Sequence, residues 1–225
     1  MKKIIYLIIV PFSFILNAQK LSKKFVYLED VAPSIRIELR YFSNNNFIGK
    51  PIDGYNNNNS LIITRETAKY LKKIQQELLQ KELSLKIFDG YRPQQAVDHF
   101  VRWAKDLKDT VMKAQYYPKV KKNSLFKNGY IASKSGHSRG STIDLTIINI
   151  KTDQALDMGS AYDYFGIQSH PLYQNISKKQ KQNRMLLRKI MVNNGFTPND
   201  NEWWHFTLKK EPFPNTYFKF PISKN

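Results

Sequence analysis

The stretch SGHSRGSTIDL (135–145) sets His137 seven residues ahead of Asp144, and NEWWHF (201–206) sets Glu202 three residues ahead of His205. The chain has four histidines and no cysteine, so two of its four imidazoles sit near acids in these segments. His137, Asp144 and His205 form a three-ligand set suited to zinc, which keeps a fourth position for water when the metal is catalytic. Glu202, the carboxylate outside that set, is then the natural base for a water whose pKa the metal lowers to about 7. Spacing alone leaves a plainer reading open, with each histidine a surface or core residue, because a compact H-E-x-x-H pattern is absent.

Residues seven apart on a straight strand face opposite ways. His137 and Asp144 therefore converge only if His137 lies on a loop that curls back over the strand. Gly140 and the turn-like SGHSRG permit this, and STIDLTIINI (141–150), rich in β-branched residues, reads as the strand. Asn199, Asp200 and Asn201 put Glu202 at a loop edge, with a last strand, WWHFTLK, expected to start at Trp203. Ala68, Leu71, Ile74 and Leu78 recur at helical spacing behind a candidate N-cap, Thr64. Leu83, Leu85 and Ile87 alternate as on a strand ended by Asp89-Gly90, and Pro93 suits the first turn of a helix over 93–107. A third helix over 178–195 stops at Gly195, whereas 44–59 and 110–130 read as irregular. The mixture lacks a regular βαβ alternation. The expected fold is a single α+β domain over 19–225, a central antiparallel sheet flanked by helices.

The first residues, MKKIIYLIIVPFSFILNAQK, carry Lys2 and Lys3, an apolar run from Ile4 to Leu16, and then Asn17-Ala18. That layout is a secretory signal peptide (1–18) with cleavage after Ala18, and the run is too short and too proline-broken to anchor the chain. With no cysteine at the cleavage point, a lipoprotein anchor is excluded. The expected location is exported, periplasmic or secreted. The formal charge is +18, and loss of Lys2 and Lys3 leaves 34 basic against 18 acidic residues. The lysines are spread over many segments without a zinc finger or an aromatic RNA-binding pattern, so they read as a solvated basic face and not a nucleic-acid site. His99, inside a helical pattern, and His170, beside Pro171, have no metal-like companion and read as structural or surface groups.

DGYRP (89–93), SKSGHSRGSTIDLT (133–146), MGSAYDYF (158–165) and EWWHF (202–206) occur in this order. Together they resemble the D-alanyl-D-alanine dipeptidases of the zinc D,D-peptidase family, over nearly the whole chain after the leader. The resemblance implies one zinc per chain held by His137, Asp144 and His205, with Glu202 as catalytic base and Arg92 beside the scissile carbonyl. It implies that Asp163 receives the substrate ammonium, with Ser135 and Tyr41 at further pocket positions. Without it, Arg92 reads equally well as a surface ion pair and Asp163 as a turn or helix cap. The implied activity is hydrolysis of D-alanyl-D-alanine to D-alanine, in scavenging or recycling of cell-wall dipeptides. A peptidoglycan D,D- or L,D-carboxypeptidase of the same fold is the alternative. The implied partner is a small dipeptide, with no nucleic acid and no stable membrane insertion after signal cleavage; the oligomeric state stays open. If residues 1–18 are a cleaved export signal, N-terminal sequencing of the exported protein reads from Gln19, and an exported chain that retains the leader contradicts processing.

Overall fold

Thr64 caps helix α2 (Arg65–Leu79), its hydroxyl accepting the Thr67 N–H, and Ala68, Leu71, Ile74 and Leu78 bury the apolar face expected from their spacing. The structure, a computed structural model, describes residues 21–55 and 60–222, so the expected leader lies outside the described residues. Among the described residues no helix is long and apolar enough to cross a membrane. Strands β1 (Phe25–Tyr27) and β3 (Ile62–Thr64) form a small antiparallel pair, with helix α1 (Leu28–Val31) following β1.

The main sheet joins β2 (Arg36–Ile37), β4 (Leu83–Asp89), β5 (Thr142–Asn149), β6 (Phe196–Pro198) and β7 (His205–Leu208), in the order β2-β4-β5-β7-β6. The expected α+β domain is present, but the sheet is mixed: β2 pairs with β4 in parallel and the other pairs are antiparallel. The reason is connectivity, since the chain passes through β3 and α2 between β2 and β4 and returns in the same direction. Leu71, Ile74, Leu78, Leu85, Ile87, Ile143, Leu145 and Ile147 are fully buried in one core, each contributing about 1.5–3 kcal/mol by burial.

Helix α3 (Gln94–Lys105) begins one residue after Pro93, which takes the N-cap position. The irregular segment after it contains a short helix, α4 (Lys113–Tyr116). Two details of the sheet matter for chemistry. Ile87 pairs with Leu145 and Asp89 with Asp144, so Phe88 is an extra residue that bulges β4. Asp144 also pairs with His205 on β7. Cross-strand partners share a face, so Asp89, Asp144 and His205 form a row across three strands. Without the bulge, the side chain opposite Asp144 would be Phe88.

Helix α5 (Lys178–Asn193) starts at a capping box of Ser177 and Gln180 and stops before Gly195, at φ +85°. Its Arg184 is 1% exposed and donates to the carbonyls of Met158 (2.5 Å), His170 (2.6 Å) and Gln168 (2.7 Å). Burial without a contacting carboxylate pushes its pKa down to about 10. One guanidinium thus ties helix α5 to both ends of the 158–170 loop. Arg184→Met leaves these carbonyls without their charged donor and is expected to cost about 3 kcal/mol of stability, read as a lower urea midpoint.

Candidate active site

Ser135 caps a 3-10 turn over Gly136–Arg139, its hydroxyl accepting the His137 N–H (3.2 Å). The turn closes at Gly140, φ +81°, where any side chain would run into the Phe25 ring. This reversal carries His137 back over β5, as the glycine in the sequence suggested. His137 is 2% exposed, and its Nδ1 lies 2.8 Å from the Gly90 carbonyl oxygen. A carbonyl only accepts, so Nδ1 holds the proton of the neutral ring and the Nε2 lone pair faces inward.

His137 Nε2 lies 3.3 Å from Asp144 Oδ2 and 3.4 Å from His205 Nδ1, and His205 Nδ1 lies 3.1 Å from Asp144 Oδ1. Among the described residues, His137, Asp144 and His205 are the group whose ligand atoms converge in this way. Asp144 Oδ1 is shielded from solvent and has no aligned hydrogen-bond donor. Burial opposes ionisation of Asp144, but the charge and hydrogen bond of His137, then those of His205, outweigh it and hold the carboxyl well below the usual carboxylate range. An ionised acid and two imidazole nitrogens facing one another fit a shared divalent cation.

The strand bearing His205 begins at His205 and not at Trp203, because Glu202–His205 is a turn closed by the His205 N–H on the Glu202 carbonyl (3.3 Å). The Trp203 N–H instead binds the Ser169 carbonyl (2.9 Å), and the Trp203 indole binds Ser160 Oγ (2.9 Å). The turn brings Glu202 Oε2 to 3.4 Å from His205 Nδ1 and resolves the spacing of three. Burial raises the Glu202 pKa above its ordinary value, with His205 opposing and Asp144 adding to the shift.

Arg92 donates to Asp89 Oδ2 from Nε (2.9 Å) and Nη2 (2.8 Å), lies 3.6 Å from Asp144 Oδ2, and sits over the rings of Tyr41 and Phe100, each at 5.1 Å. It is neither a surface ion pair nor free. Asp89, which sequence reading took only as a strand end, also accepts from Tyr55 (2.7 Å) and is fully buried. Its place three residues before Arg92 in DGYRP was the available signal, as the place of Tyr162 beside Asp163 in MGSAYDYF was for that residue; Tyr55 had none.

Asp163 is 5% exposed and holds φ +59°, a left-handed conformation rare for a side-chain-bearing residue. Its carboxylate accepts from the Tyr41 hydroxyl (2.9 Å), and among the described residues it makes no ion pair. Burial, then repulsion from Asp144, raises its pKa well above the ordinary value, with Arg92 opposing. Tyr41, Arg92, Ser135, His137, Asp144, Asp163, Glu202 and His205 line one cavity of ≈ 170 Å³, below the roughly 300–1,000 Å³ common for drug-sized ligands. Trp204 forms part of its wall. His99 Nδ1 accepts the Asp53 N–H (3.1 Å), and His170 borders a separate surface pocket with Ile167 and Pro171, so neither imidazole joins the cluster.

The sequence pattern of the D-ala-D-ala dipeptidase family matches residues 21–223. This chain belongs to that family. Proteins named D-alanyl-D-alanine dipeptidase from Enterococcus faecium and Enterococcus faecalis are 40% and 42% identical to it, each over 88% of this chain and 98% of the relative. One of the same name from Streptomyces coelicolor is 39% identical, again over 88% and 98%. The family consists of metallopeptidases, and the ligand cluster is the part of this chain that fits that chemistry. Metal analysis of the purified protein is expected to find one divalent ion per chain, and Asp144→Asn, which retains the shape but removes the charge, to weaken binding at least about tenfold.

Proposed function

We propose that the protein is a zinc dipeptidase that hydrolyses D-alanyl-D-alanine to D-alanine, with His137, Asp144 and His205 as ligands. The observation that carries this reading is the pairing, in one small cavity, of the ligand cluster with a buried carboxylate, Asp163, that accepts from Tyr41 and makes no ion pair among the described residues. His137, Asp144 and His205 would hold the zinc, which when bound would polarise a carbonyl and lower the pKa of a bound water to about 7.

Glu202, beside His205 and with its pKa raised by burial, accepts the proton of the attacking water and returns it to the leaving amine. Arg92, held by Asp89, presents fixed positive charge to the oxygen that becomes negative as the carbonyl is attacked. Asp163, with Tyr41 bonded to it, accepts the ammonium of the substrate. An interior peptide bond has no ammonium at that point, and a buried carboxylate left unpaired there disfavours longer chains. Ser135 borders the cavity, and its hydroxyl cap on the His137 turn supports a positioning role there.

The signal-peptide layout of residues 1–18 supports an exported enzyme that scavenges or recycles cell-wall dipeptides, because biosynthetic D-alanyl-D-alanine is made in the cytoplasm. Supplying D-alanyl-D-alanine and a pentapeptide stem side by side tests the reading: the dipeptide is expected to be cleaved and the stem spared. Cleavage of the stem alone identifies a carboxypeptidase instead. Glu202→Gln is expected to lower kcat about 10³-fold while the zinc content stays at the wild-type level; unchanged turnover removes Glu202 from the mechanism.

A further inference from the structure

The Tyr162 ring is buried between Phe88, stacked at 4.5 Å and 20°, and Trp204, edge-on at 5.4 Å and 78°. Its hydroxyl lies 3.2 Å from Asp144 Oδ2 and 3.1 Å from the Tyr41 hydroxyl, which in turn lies 2.9 Å from Asp163 Oδ2. Each phenol has one proton to give and lone pairs to accept with. When Tyr41 donates to Asp163, the Tyr162 proton is left with two acceptors, Asp144 Oδ2 and the Tyr41 oxygen. At 3.2 Å and 3.1 Å the two acceptors share that proton as a three-centre bond, which ties Asp144 on one side and Tyr41, and through it Asp163, on the other. No other hydroxyl contacts both Tyr41 and Asp144 among the described residues.

A second observation lies in the backbone. Asp163 keeps its left-handed conformation, costly for a residue with a Cβ, immediately after Tyr162. The stacked and hydrogen-bonded Tyr162 side chain is the anchor beside that strained residue.

We propose that Tyr162 is a positioning residue that couples the two ends of the cavity: it orients Asp144 as a metal ligand and keeps Tyr41 and Asp163 in register with it. The proposal rests on the roles given above to Asp144 and Asp163. It means that a single phenolic oxygen contributes both to metal affinity and to recognition of the substrate ammonium.

Tyr162→Phe removes that oxygen and retains the ring between Phe88 and Trp204. In the full-length protein, zinc affinity measured by competition with a chromophoric chelator is expected to fall about tenfold, as for loss of a hydrogen bond to a metal ligand. At saturating zinc, the preference in kcat/KM for D-alanyl-D-alanine over its N-acetyl derivative, which lacks the ammonium, is also expected to fall about tenfold. Tyr41→Phe, which leaves Tyr162 on Asp144, lowers the same preference while zinc affinity stays at the wild-type value. Wild-type zinc affinity in Tyr162→Phe overturns the proposal, and so does a wild-type preference at saturating zinc. A wild-type enzyme that cleaves neither dipeptide defeats the proposed function instead, and the chelator titration still decides whether Tyr162 supports the ligand.

Discussion

Asp144 Oδ2 and His205 Nδ1 lie 3.3 Å and 3.4 Å from His137 Nε2, with His137 and Asp144 buried and His205 partly exposed on the cavity side. Because the His137 Nδ1–H donates to the Gly90 carbonyl, the neutral ring turns a bare Nε2 lone pair toward Asp144. The carboxylate is held there by positive charge on that side, whether a proton on Nε2 or a shared cation. Lone pair against lone pair at that separation is repulsive unless positive charge is shared between them. The rest of the architecture can be understood as what it takes to hold these atoms together: a glycine-terminated turn for one ligand, a sheet register for the other two, and a hydrophobic core stable enough to bear the repulsion.

Register is the economical part of this arrangement. Pairing of β4, β5 and β7 places Asp89, Asp144 and His205 side by side, and the Phe88 bulge decides which residue of β4 joins the row. Asp89 is not needed as a ligand. It fixes Arg92, and Arg92 then faces Asp144 and the cavity with its planar group already oriented between two aromatic rings. Asp89, Asp144, Asp163 and Glu202 thus gather around one arginine in a chain whose overall charge is +18. That local excess of carboxylate runs against the protein's overall charge, and it is what a dication and a ligand ammonium together would neutralise.

Much of this was legible in the residues. The helical spacing of Ala68, Leu71, Ile74 and Leu78, the Thr64 cap and the Gly195 stop are local signals, and local hydrogen bonds and burial made them come true. Gly140 told of the reversal that frees His137 from the strand. The parallel β2–β4 pair was not legible, because a strand of two residues has no period and its partner lies across a crossover. The start of the last strand was misplaced for a related reason. Trp203 and Trp204 have strand-forming side chains, but the Trp203 N–H is taken by Ser169, a contact distant in sequence. Tyr55 and Arg184 escaped notice because each matters through partners far along the chain, and neither residue type nor spacing announces such a partner. Tyr162 stood in MGSAYDYF beside Asp163, but its partners Tyr41 and Asp144 are distant in sequence.

The residues proposed for recognition and those proposed for chemistry stand on different supports, and this separates what each can tolerate. The ligands and Arg92 stand on or beside the central strands, where burial and the ladder leave little freedom. Asp163 stands on a loop whose place depends on Arg184, reaching from α5 to three carbonyls, and on the ring of Tyr162. A loop held by one buried cation and one stacked phenol can vary in shape without disturbing the sheet. On the proposed roles, substrate selection would sit on the more changeable part of the molecule and hydrolysis on the more rigid part, with the hydrogen bonds of Tyr162 and Tyr41 linking the two.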